Sequence, residues 1–324
     1  MAVVRRNIVT DTTARDDYVR GITLLKQEAT TVTTGAFGIP GPSVAVHTYD
    51  LFVIWHHLAM TTPVPPGGDF MVRNSAHRGP VFLPWHRVML GFLETNLQRV
   101  LARPGFGLPY WDWSADGSLS SPQSAPIWKP AWMGGQGKPV TDGPFAFRAG
   151  DPAGFRVRVE TGPDLALRQV DRGLRREFAR PPAGSATLPN GGDVTLAYDT
   201  RAPRADLATY DFDPWNGASK GFRNWLEGFR GTGLHNQVHR WIGGDMAPAS
   251  SPNDPVFFLH HCNVDRLWEG WMRRHGRVYL PGAQAPAELL GHRIGDPIVS
   301  PLGAAATPGS VLDPAGLFSY DVLP

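Results

Sequence analysis

Four segments of this chain have the composition of strong helices, and each of them carries histidine. Their expected ranges are 46–60, 84–103, a stretch that begins near 232, and 253–274. The first is apolar on nearly all sides, which is typical of a buried helix. Proline stands in the first turn of the second and the fourth, where its fixed φ is favoured. Histidine on four such helices predicts a mainly α fold, a four-helix bundle with a metal site in its core.

The rest of the chain is rich in glycine and proline, with 37 and 31 residues. This composition predicts long irregular loops and only a few short strands around the bundle. Shorter elements are expected as helices over 11–28, 164–179 and 218–230, and as a strand over 108–113. Because no repeat or shift in composition marks a boundary, the sequence predicts a single domain over residues 1–324.

Charge and cysteine content exclude several classes of function. The net charge is +2 with histidine neutral, which gives no electrostatic reason to bind nucleic acid or an anionic membrane. The single cysteine, Cys262, excludes an intrachain disulfide. The first residues lack the apolar run of a signal peptide, and no stretch is long enough to span a membrane. We therefore expect a cytoplasmic protein, with export beside a signal-bearing partner as the alternative.

His235 and His239 stand four residues apart. On a helix this spacing places both imidazoles on one face, where they can reach one metal ion. The pattern alone is a weak signal, because core packing also produces it. A zinc protease would need glutamate directly after the first histidine, and Asn236 stands there instead. The pair is therefore a candidate metal site of another kind.

Two further histidines share an aromatic setting. Phe82 precedes His86 by four residues, and Phe257 precedes His261 by the same spacing. In a helix the ring then lies one turn away on the same side, although Pro84 is expected to leave Phe82 just outside its helix. Taken singly, each segment fits an aromatic core helix with an incidental histidine. Together with the HNQVH pattern, they favour a water-free metal site.

The donor types limit the metal. Imidazole suits copper, zinc, iron or nickel, and a single cysteine excludes a thiolate site. A carboxylate-bridged di-iron bundle needs Glu-x-x-His on its helices, and this chain has no such motif. A double site built from histidine alone therefore points to copper that handles dioxygen.

Long segments around these histidines resemble the bacterial tyrosinases and the related o-aminophenol oxidases, which are type 3 dicopper polyphenol oxidases. The segments are YDLFVIWHH (49–57), AHRGPVFLPWHR (76–87), LPYWDW (108–113), WNGASKGFRNWLEGFRGTGLHNQVHRWIGG (215–244) and SPNDPVFFLHHCNVDRLW (251–268). The resemblance runs from the N-terminal VRRN to the helix after His261. It implies two copper ions, a small phenolic substrate, dioxygen, and a role in melanin or other pigment biosynthesis.

The resemblance also assigns ligands position by position. The first copper would take His56, His77 and His86, and the second would take His235, His239 and His261. His57 and His260 are left outside the ligand set, and the residues alone could not choose His56 over His57. The other histidines, His47, His275 and His292, lie outside the motifs and are expected on the surface or in linkers.

Four further positions match functional residues of the family. Glu227 and Asn236 match the pair that holds a water near the second copper, which is proposed to deprotonate monophenols. Arg240 and Ser251 match residues that line the substrate entrance. The resemblance thus implies hydroxylation of monophenols and oxidation of o-diphenols to o-quinones. A solvated helix carboxylate, a structural amide and plain surface roles are the alternatives.

Two departures from the tyrosinase pattern point towards the o-aminophenol oxidases. His57 stands where tyrosinases usually carry asparagine, and Cys262-Asn263 replaces the usual Ala-Tyr. An o-aminophenol or catechol oxidase with little monophenolase activity is therefore the alternative function. Cys262 itself is expected to be a buried, inert thiol, with direct ligation as the minority hypothesis.

Two rival classes remain. One is an oxygen carrier like the haemocyanins, which shield the same copper pair with an added domain, whereas the stretch after the fourth helix is short here. The other is a structural zinc bundle without redox chemistry. Several relatives also need a small copper-delivery (caddie) partner, and the sequence leaves that need open for this chain.

Overall fold

The computed structural model describes residues 2–151, 154–179, 187–211, 219–231 and 233–324. Its helices are α1 Thr12–Gln27, α2 Thr48–Thr61, α3 Phe82–Leu101, α4 Trp113–Gly117, α5 Gly191–Tyr198, α6 Phe222–Glu227, α7 Leu234–Ile242 and α8 Val256–His275. Its strands are β1 Val3–Arg5, β2 Ala29–Thr33, β3 Ala45–His47, β4 Val157–Thr161, β5 Leu167–Arg172, β6 Ile298–Ser300, β7 Gly303–Ala306 and β8 Phe318–Tyr320. The chain is therefore mainly helical with a few short strands, as predicted.

The helical core is built from α2, α3, α7 and α8. Helix α3 packs against α8, α7 packs against α8, and α1 covers α2 and α3 from outside. Every residue of α8 from Val256 to Met272 is buried, which explains why this helix is apolar or aromatic on several faces. Helix α1 begins at an N-cap, where the Asp11 carboxylate accepts a hydrogen bond from the Ala14 amide at 2.9 Å. The four histidine-bearing helices are thus the four predicted from the sequence.

The short strands pair two by two. Strands β2–β3, β4–β5 and β6–β7 are antiparallel, whereas β1 and β8 join the two ends of the chain in parallel. The helix predicted over 164–179 is wrong, because most of that stretch belongs to the β4–β5 hairpin. Glu160 on β4 binds Arg168 and Arg172 across the hairpin. These ion pairs link the two strands, with Glu160 directly opposite Arg168.

Three other element predictions need correction. The segment 108–113 is not a strand: Tyr110 makes one isolated bridge, and Asp112 caps α4. Helix α3 begins at Phe82, so that residue lies inside the helix. The helix expected over 218–230 is confined to α6 between two glycines of positive φ, Gly221 and Gly228, and residue 218 lies outside the described residues. A Cβ on Gly228 would lie 2.7 Å from the Gly233 carbonyl, so this turn requires glycine.

A buried ionic network closes the back of the bundle. Arg5 on β1 binds Glu94 of α3 and Asp265 of α8, and Arg87 of α3 also binds Asp265, at 2.6 Å. The Tyr320 hydroxyl on β8 donates to the same Asp265 carboxylate at 2.5 Å. Asp265 therefore ties α8 to α3 and to both ends of the chain, as a polar anchor one turn beyond His261. Among the described residues, no helix is long and apolar enough to cross a membrane.

Candidate metal centre

Seven histidines meet in two adjacent groups inside the bundle. The first contains His56, His77 and His86, and the second contains His235, His239, His260 and His261. Within each group one ring nitrogen from each histidine lies within 4.8 Å of those of the others. The groups touch, since the rings of His86 and His261 stack with centroids 4.1 Å apart. This arrangement can hold two metal ions side by side.

The first group draws on three segments. His56 comes from α2, His86 from α3, and His77 from the loop between these helices. The ring centroid of His77 lies 5.2 Å from that of His56 and 4.8 Å from that of His86. All three side chains are nearly inaccessible to solvent. A loop histidine is thus brought into register with two helical ones.

Backbone carbonyls fix the rings of the two helical histidines in this group. His56 Nδ1 lies 2.6 Å from the Ala249 carbonyl oxygen, and His86 Nδ1 lies 2.7 Å from the Phe82 oxygen. A ring nitrogen that donates to a carbonyl must carry the hydrogen, so the lone pair resides on Nε2. Both Nε2 atoms are buried without a hydrogen-bond partner among the described residues. A bound metal would satisfy these otherwise costly polar atoms.

The second group is built from α7 and α8 alone. His239 Nδ1 lies 2.7 Å from the Met246 carbonyl oxygen, and His235 Nδ1 lies 3.1 Å from that of Glu227. The same rule leaves both Nε2 lone pairs directed into the site. His239 Nε2 and His261 Nε2 are 3.3 Å apart, so two donors already converge on one point.

The second histidine group contains one residue, His260, that the resemblance leaves outside the ligand set. Its ring stacks on that of His235, with centroids 5.1 Å apart and planes at 16°, and it belongs to the second group. Consecutive residues of a helix point about 100° apart, yet both His260 and His261 face this cluster. The sequence singled out His261 and left His260 outside the ligand set, whereas the structure places both within reach of a metal.

Burial keeps these imidazoles neutral, which is the form that binds metal. Burial lowers the pKa of His56 to about 3 and that of His239 to about 4, from an ordinary value of 6.5. In His77, His86, His235 and His261, burial followed by repulsion from neighbouring imidazoles lowers the pKa well below that value. The ligands therefore need no deprotonation at neutral pH.

Aromatic rings wall the centre as the sequence predicted. Phe82 lies 4.8 Å from His86 between ring centroids, and Phe257 lies 4.2 Å from His261. Phe257 also contacts His56 at 5.0 Å, so it bridges the two groups. Apolar walls exclude water and strengthen electrostatic interactions inside the site.

Glu227 ends α6 directly beside the centre and is fully buried. Its Oε1 accepts the Arg78 amide at 2.5 Å, and its Oε2 accepts Arg223 Nη1 at 2.6 Å. Burial raises the pKa of Glu227, while the Arg223 guanidinium and the Arg78 amide oppose that rise. Asn236 is half-buried, with its Oδ1 placed 3.1 Å from His235 Nδ1. Sequence reasoning missed Arg223, although its place four residues before Glu227 on a helix was a usable signal.

The two predicted entrance residues differ in their surroundings. Arg240 follows His239 at the end of α7 and is exposed. Ser251 is buried, two residues after Ala249, whose carbonyl holds His56. Ser251 is thus close in sequence to the support of the first group, and Arg240 is next to a member of the second.

Two residues that separated this chain from the tyrosinase pattern point away from the centre. His57 Nδ1 lies 2.9 Å from the Thr161 hydroxyl of β4, and neither group contains His57. The Cys262 thiol lies 3.4 Å from the Leu108 carbonyl oxygen and 3.8 Å from the Tyr320 hydroxyl. Burial raises the pKa of Cys262 to about 12, so it stays a thiol. The expectation of a buried, inert cysteine agrees with these contacts.

The expectation that His292 is a surface or linker residue is wrong. The residue is fully buried, and its Nε2 lies 2.9 Å from the Asn74 carbonyl oxygen. Its local sequence gave no sign of this, because the contact joins positions 218 residues apart. His47 and His275 are only partly exposed, and both lie outside the two histidine groups.

Two adjoining groups of neutral imidazoles in a helical core define a class of protein, the histidine-ligated metalloproteins with a paired centre. Residues 46–274 match the family model described as the common central domain of tyrosinase. A tyrosinase of Streptomyces antibioticus is 40% identical over 280 residues, which cover 85% of this chain and 89% of that protein. A grixazone synthase of Streptomyces griseus subsp. griseus is 35% identical over 300 residues, 84% of this chain and 90% of its own.

Solved structures show the same fold at lower identity. A polyphenol oxidase from Thermothelomyces thermophila aligns with a TM-score of 0.66 and 23% identity, covering 100% of this chain and 89% of that one. A functional unit of octopus hemocyanin aligns with a TM-score of 0.56 and 18% identity, covering 99% of this chain and 68% of the other.

The chain belongs to the tyrosinase family. It is a tyrosinase-like copper oxidase, an enzyme that oxidises phenols, and the two histidine groups suit copper because their donors are imidazole nitrogens.

Proposed function

We propose that this protein, folded as one domain over residues 1–324, holds two copper ions and uses dioxygen to hydroxylate monophenols and to oxidise o-diphenols to o-quinones. His56, His77 and His86 would hold the first ion, and His235, His239 and His261 the second. The observation that carries the proposal is the pair of touching imidazole groups, in which four Nδ1 atoms bind carbonyls and the lone pairs face inward.

The chemistry of oxygen transfer belongs to the metal pair, which activates dioxygen when it is bound. The chain contributes a fixed ligand geometry, through the carbonyls of Ala249, Phe82 and Met246. It also contributes a water-poor pocket, through Phe82 and Phe257. Neutral ligands leave the metal charge undiminished, which favours binding of an anionic phenolate.

His261 is preferred over His260 as the third ligand of the second ion for a geometric reason. The Nε2 of His261 lies 3.3 Å from that of His239, so these two donors already share a focus. His260 stacks on the ring of His235 within its own group, a contact by which it can hold that ring in place. We therefore assign His260 to support.

Glu227 and Asn236 are proposed to hold the water that takes the proton of an incoming monophenol. Each carboxylate oxygen can accept two hydrogen bonds, so Glu227 retains acceptor capacity beside its bonds to Arg78 and Arg223. The Arg223 guanidinium favours the ionised form of the carboxylate, which a proton acceptor needs. Arg240 and Ser251 are proposed to line the substrate entrance.

The second candidate function is oxidation of o-aminophenols or catechols with weak or no hydroxylation. One observation favours it: both Glu227 oxygens already accept a protein donor, which reduces their ability to take a proton. The likeness to a grixazone synthase at 35% identity supports the same candidate.

A substrate panel separates these candidates. Copper-loaded protein would be given tyramine, a catechol and o-aminophenol in turn, with oxygen uptake recorded. Uptake with all three supports the first candidate, and uptake with only the last two replaces it by the second. Reversible oxygen binding without turnover would indicate the carrier function of the hemocyanins, whose fold this chain shares.

Delivery of copper by a small partner protein is a further proposal. Five of the six ligands are buried and only His239 is partly exposed, so unassisted entry of copper should be slow. Incubating metal-free protein with a copper salt alone tests this, because full loading within minutes would remove the need for a partner. Cytoplasmic residence, with export beside a partner as the alternative, stays a prediction that cell fractionation would test.

A further inference from the structure

The His77 ring is held differently from the other rings of the first histidine group. Of the seven histidines, only His77 lies outside a helix. Its Nδ1 has no hydrogen-bond partner among the described residues, whereas those of His56 and His86 bind carbonyls. With no hydrogen bond to Nδ1, the direction of the His77 ring depends on the backbone of its loop and on its contacts with the rings of Phe82 and His86.

Asn74 organises that backbone. Its side-chain Oδ1 accepts hydrogen bonds from the backbone N–H groups of Ala76 at 3.2 Å and His77 at 2.8 Å. The backbone N–H of Asn74 donates to the His77 carbonyl at 3.3 Å. These bonds close a tight turn of the kind that asparagine favours. The position of His77 thus follows the position of Asn74.

His292, from the segment after α8, holds this turn from behind. Its Nε2 donates to the Asn74 carbonyl at 2.9 Å. Burial lowers the pKa of His292 to about 3, so its ring is neutral and carries one hydrogen. The Tyr279 hydroxyl donates to the His292 carbonyl at 2.6 Å and anchors the histidine in turn.

Close packing locks the same contact. A Cβ placed on Gly79 would lie 2.6 Å from the His292 ring, so the loop fits against this imidazole with no room to spare. Among the described residues, His292 belongs to neither histidine group. Its contacts with the loop, at Asn74 and Gly79, connect it to the centre.

We propose that His292 is a positioning residue, which fixes the His77 loop and thereby sets how tightly the first copper is held. The proposal rests on the proposed two-copper function. His292 lies outside residues 46–274, the part that matches the family model. It gives the segment after α8 a role in the metal centre.

The test compares His292→Leu with His292→Gln in copper-loaded protein. Both side chains are close to histidine in size, but only glutamine can donate a hydrogen bond to the Asn74 carbonyl. Release of each copper into a chelator would be timed, and the half-loaded form would be counted by its Cu(II) paramagnetic resonance signal. We expect His292→Leu to lose one copper about tenfold faster, the low end for removal of an outer partner, while the second copper keeps its rate. His292→Gln should stay close to wild type.

A second variant of the same contact, a neutral variant and an unfolding measurement accompany this test. Gly79→Ala displaces the His292 ring while leaving the histidine in place, and it should also speed the loss of one copper. His275→Gln alters a histidine outside both groups and should change nothing. Thermal unfolding of the metal-free variants shows whether general destabilisation accounts for the change.

If His292→Leu and Gly79→Ala release both copper ions at the wild-type rates, the positioning role is overturned and the two-copper function stays intact. The same holds if His292→Leu speeds both ions equally in step with a lower melting temperature. A wild-type protein that takes up no copper pair would overturn the proposed function itself, and this inference with it.

Discussion

The second histidine group draws all its donors from α7 and α8, whereas the first combines two helices with a loop. In the second group, helical spacing alone places His235 and His239 on one face. In the first, the loop that carries His77 is bonded by Asn74, Glu227 and His292, which lie on it or come from distant parts of the chain. Similar donor sets are thus fixed by local periodicity in one group and by long-range contacts in the other.

The largest expected effect comes from His239→Ala. The variant removes one of two converging donors, so copper at the second position and all oxidation of phenols should fall below detection. Copper at the first position should remain, because its ligands come from other elements. Copper content and oxygen uptake check this together, with His275→Ala as control. Full activity in His239→Ala would refute the assignment of the second group.

The matched variants His260→Gln and His261→Gln test which of these two histidines binds the second copper. We expect His261→Gln to lose the second copper, whereas His260→Gln should retain it with affinity weakened about tenfold, as for an outer partner. Copper retained by the loaded proteins after equilibration with a competing chelator measures both. Equal loss in the two variants would mean that the second ion takes four histidines.

Glu227→Gln tests whether Glu227, which bonds the His77 loop, also takes part in the hydroxylation of monophenols. The change keeps the shape and removes the charge, so hydroxylation of tyramine should fall about 100-fold, within the usual range for loss of a general base. Oxidation of a catechol should fall much less. The comparison of kcat/KM for the two substrates checks this, and equal losses would show that Glu227 only holds the Arg78 amide in place.

The smallest effect concerns stability of the metal-free protein in acid. His56 and His239 have folded pKa values of about 3 and 4, below their ordinary value of 6.5. Below about pH 6.5 the two histidines are therefore protonated in the unfolded chain but stay neutral in the folded chain. Because the unfolded state binds more protons, the free energy of unfolding decreases as the pH falls. Each such histidine contributes a slope of about 1.4 kcal/mol per pH unit between its two pKa values.

Urea unfolding of metal-free protein between pH 7 and pH 5 measures this slope. His239→Ala should flatten it, since one buried histidine is gone. A slope that is the same in both proteins would contradict the assignment of a depressed pKa to His239.

The sequence predicted the helical part of the centre well because its signals are local. The four-residue spacing of His235 and His239, and of Phe82 and His86, translates directly into a shared helix face. The same spacing places the Phe82 carbonyl one helical turn before His86, where it accepts a hydrogen bond from the His86 ring. The four core helices were likewise predicted from local signals, namely apolar composition and proline in the first turn.

The remainder depended on contacts that no local pattern encodes. His77 was assigned by resemblance alone, and the buried position of His292 went unpredicted because its partner Asn74 is far away in sequence. The β4–β5 hairpin was mistaken for a helix because the ion pairs of Glu160 with Arg168 and Arg172 join two strands. Tertiary interactions of this kind override local propensity.

The most direct test of the central claim is the metal content of the protein after expression in copper-supplemented medium, measured together with oxygen uptake on a catechol. The two touching histidine groups predict two copper ions per chain and turnover that disappears when a chelator removes them. Two zinc ions without copper, or full copper loading without any oxidation of catechol, would contradict the assignment of this centre as a copper oxidase.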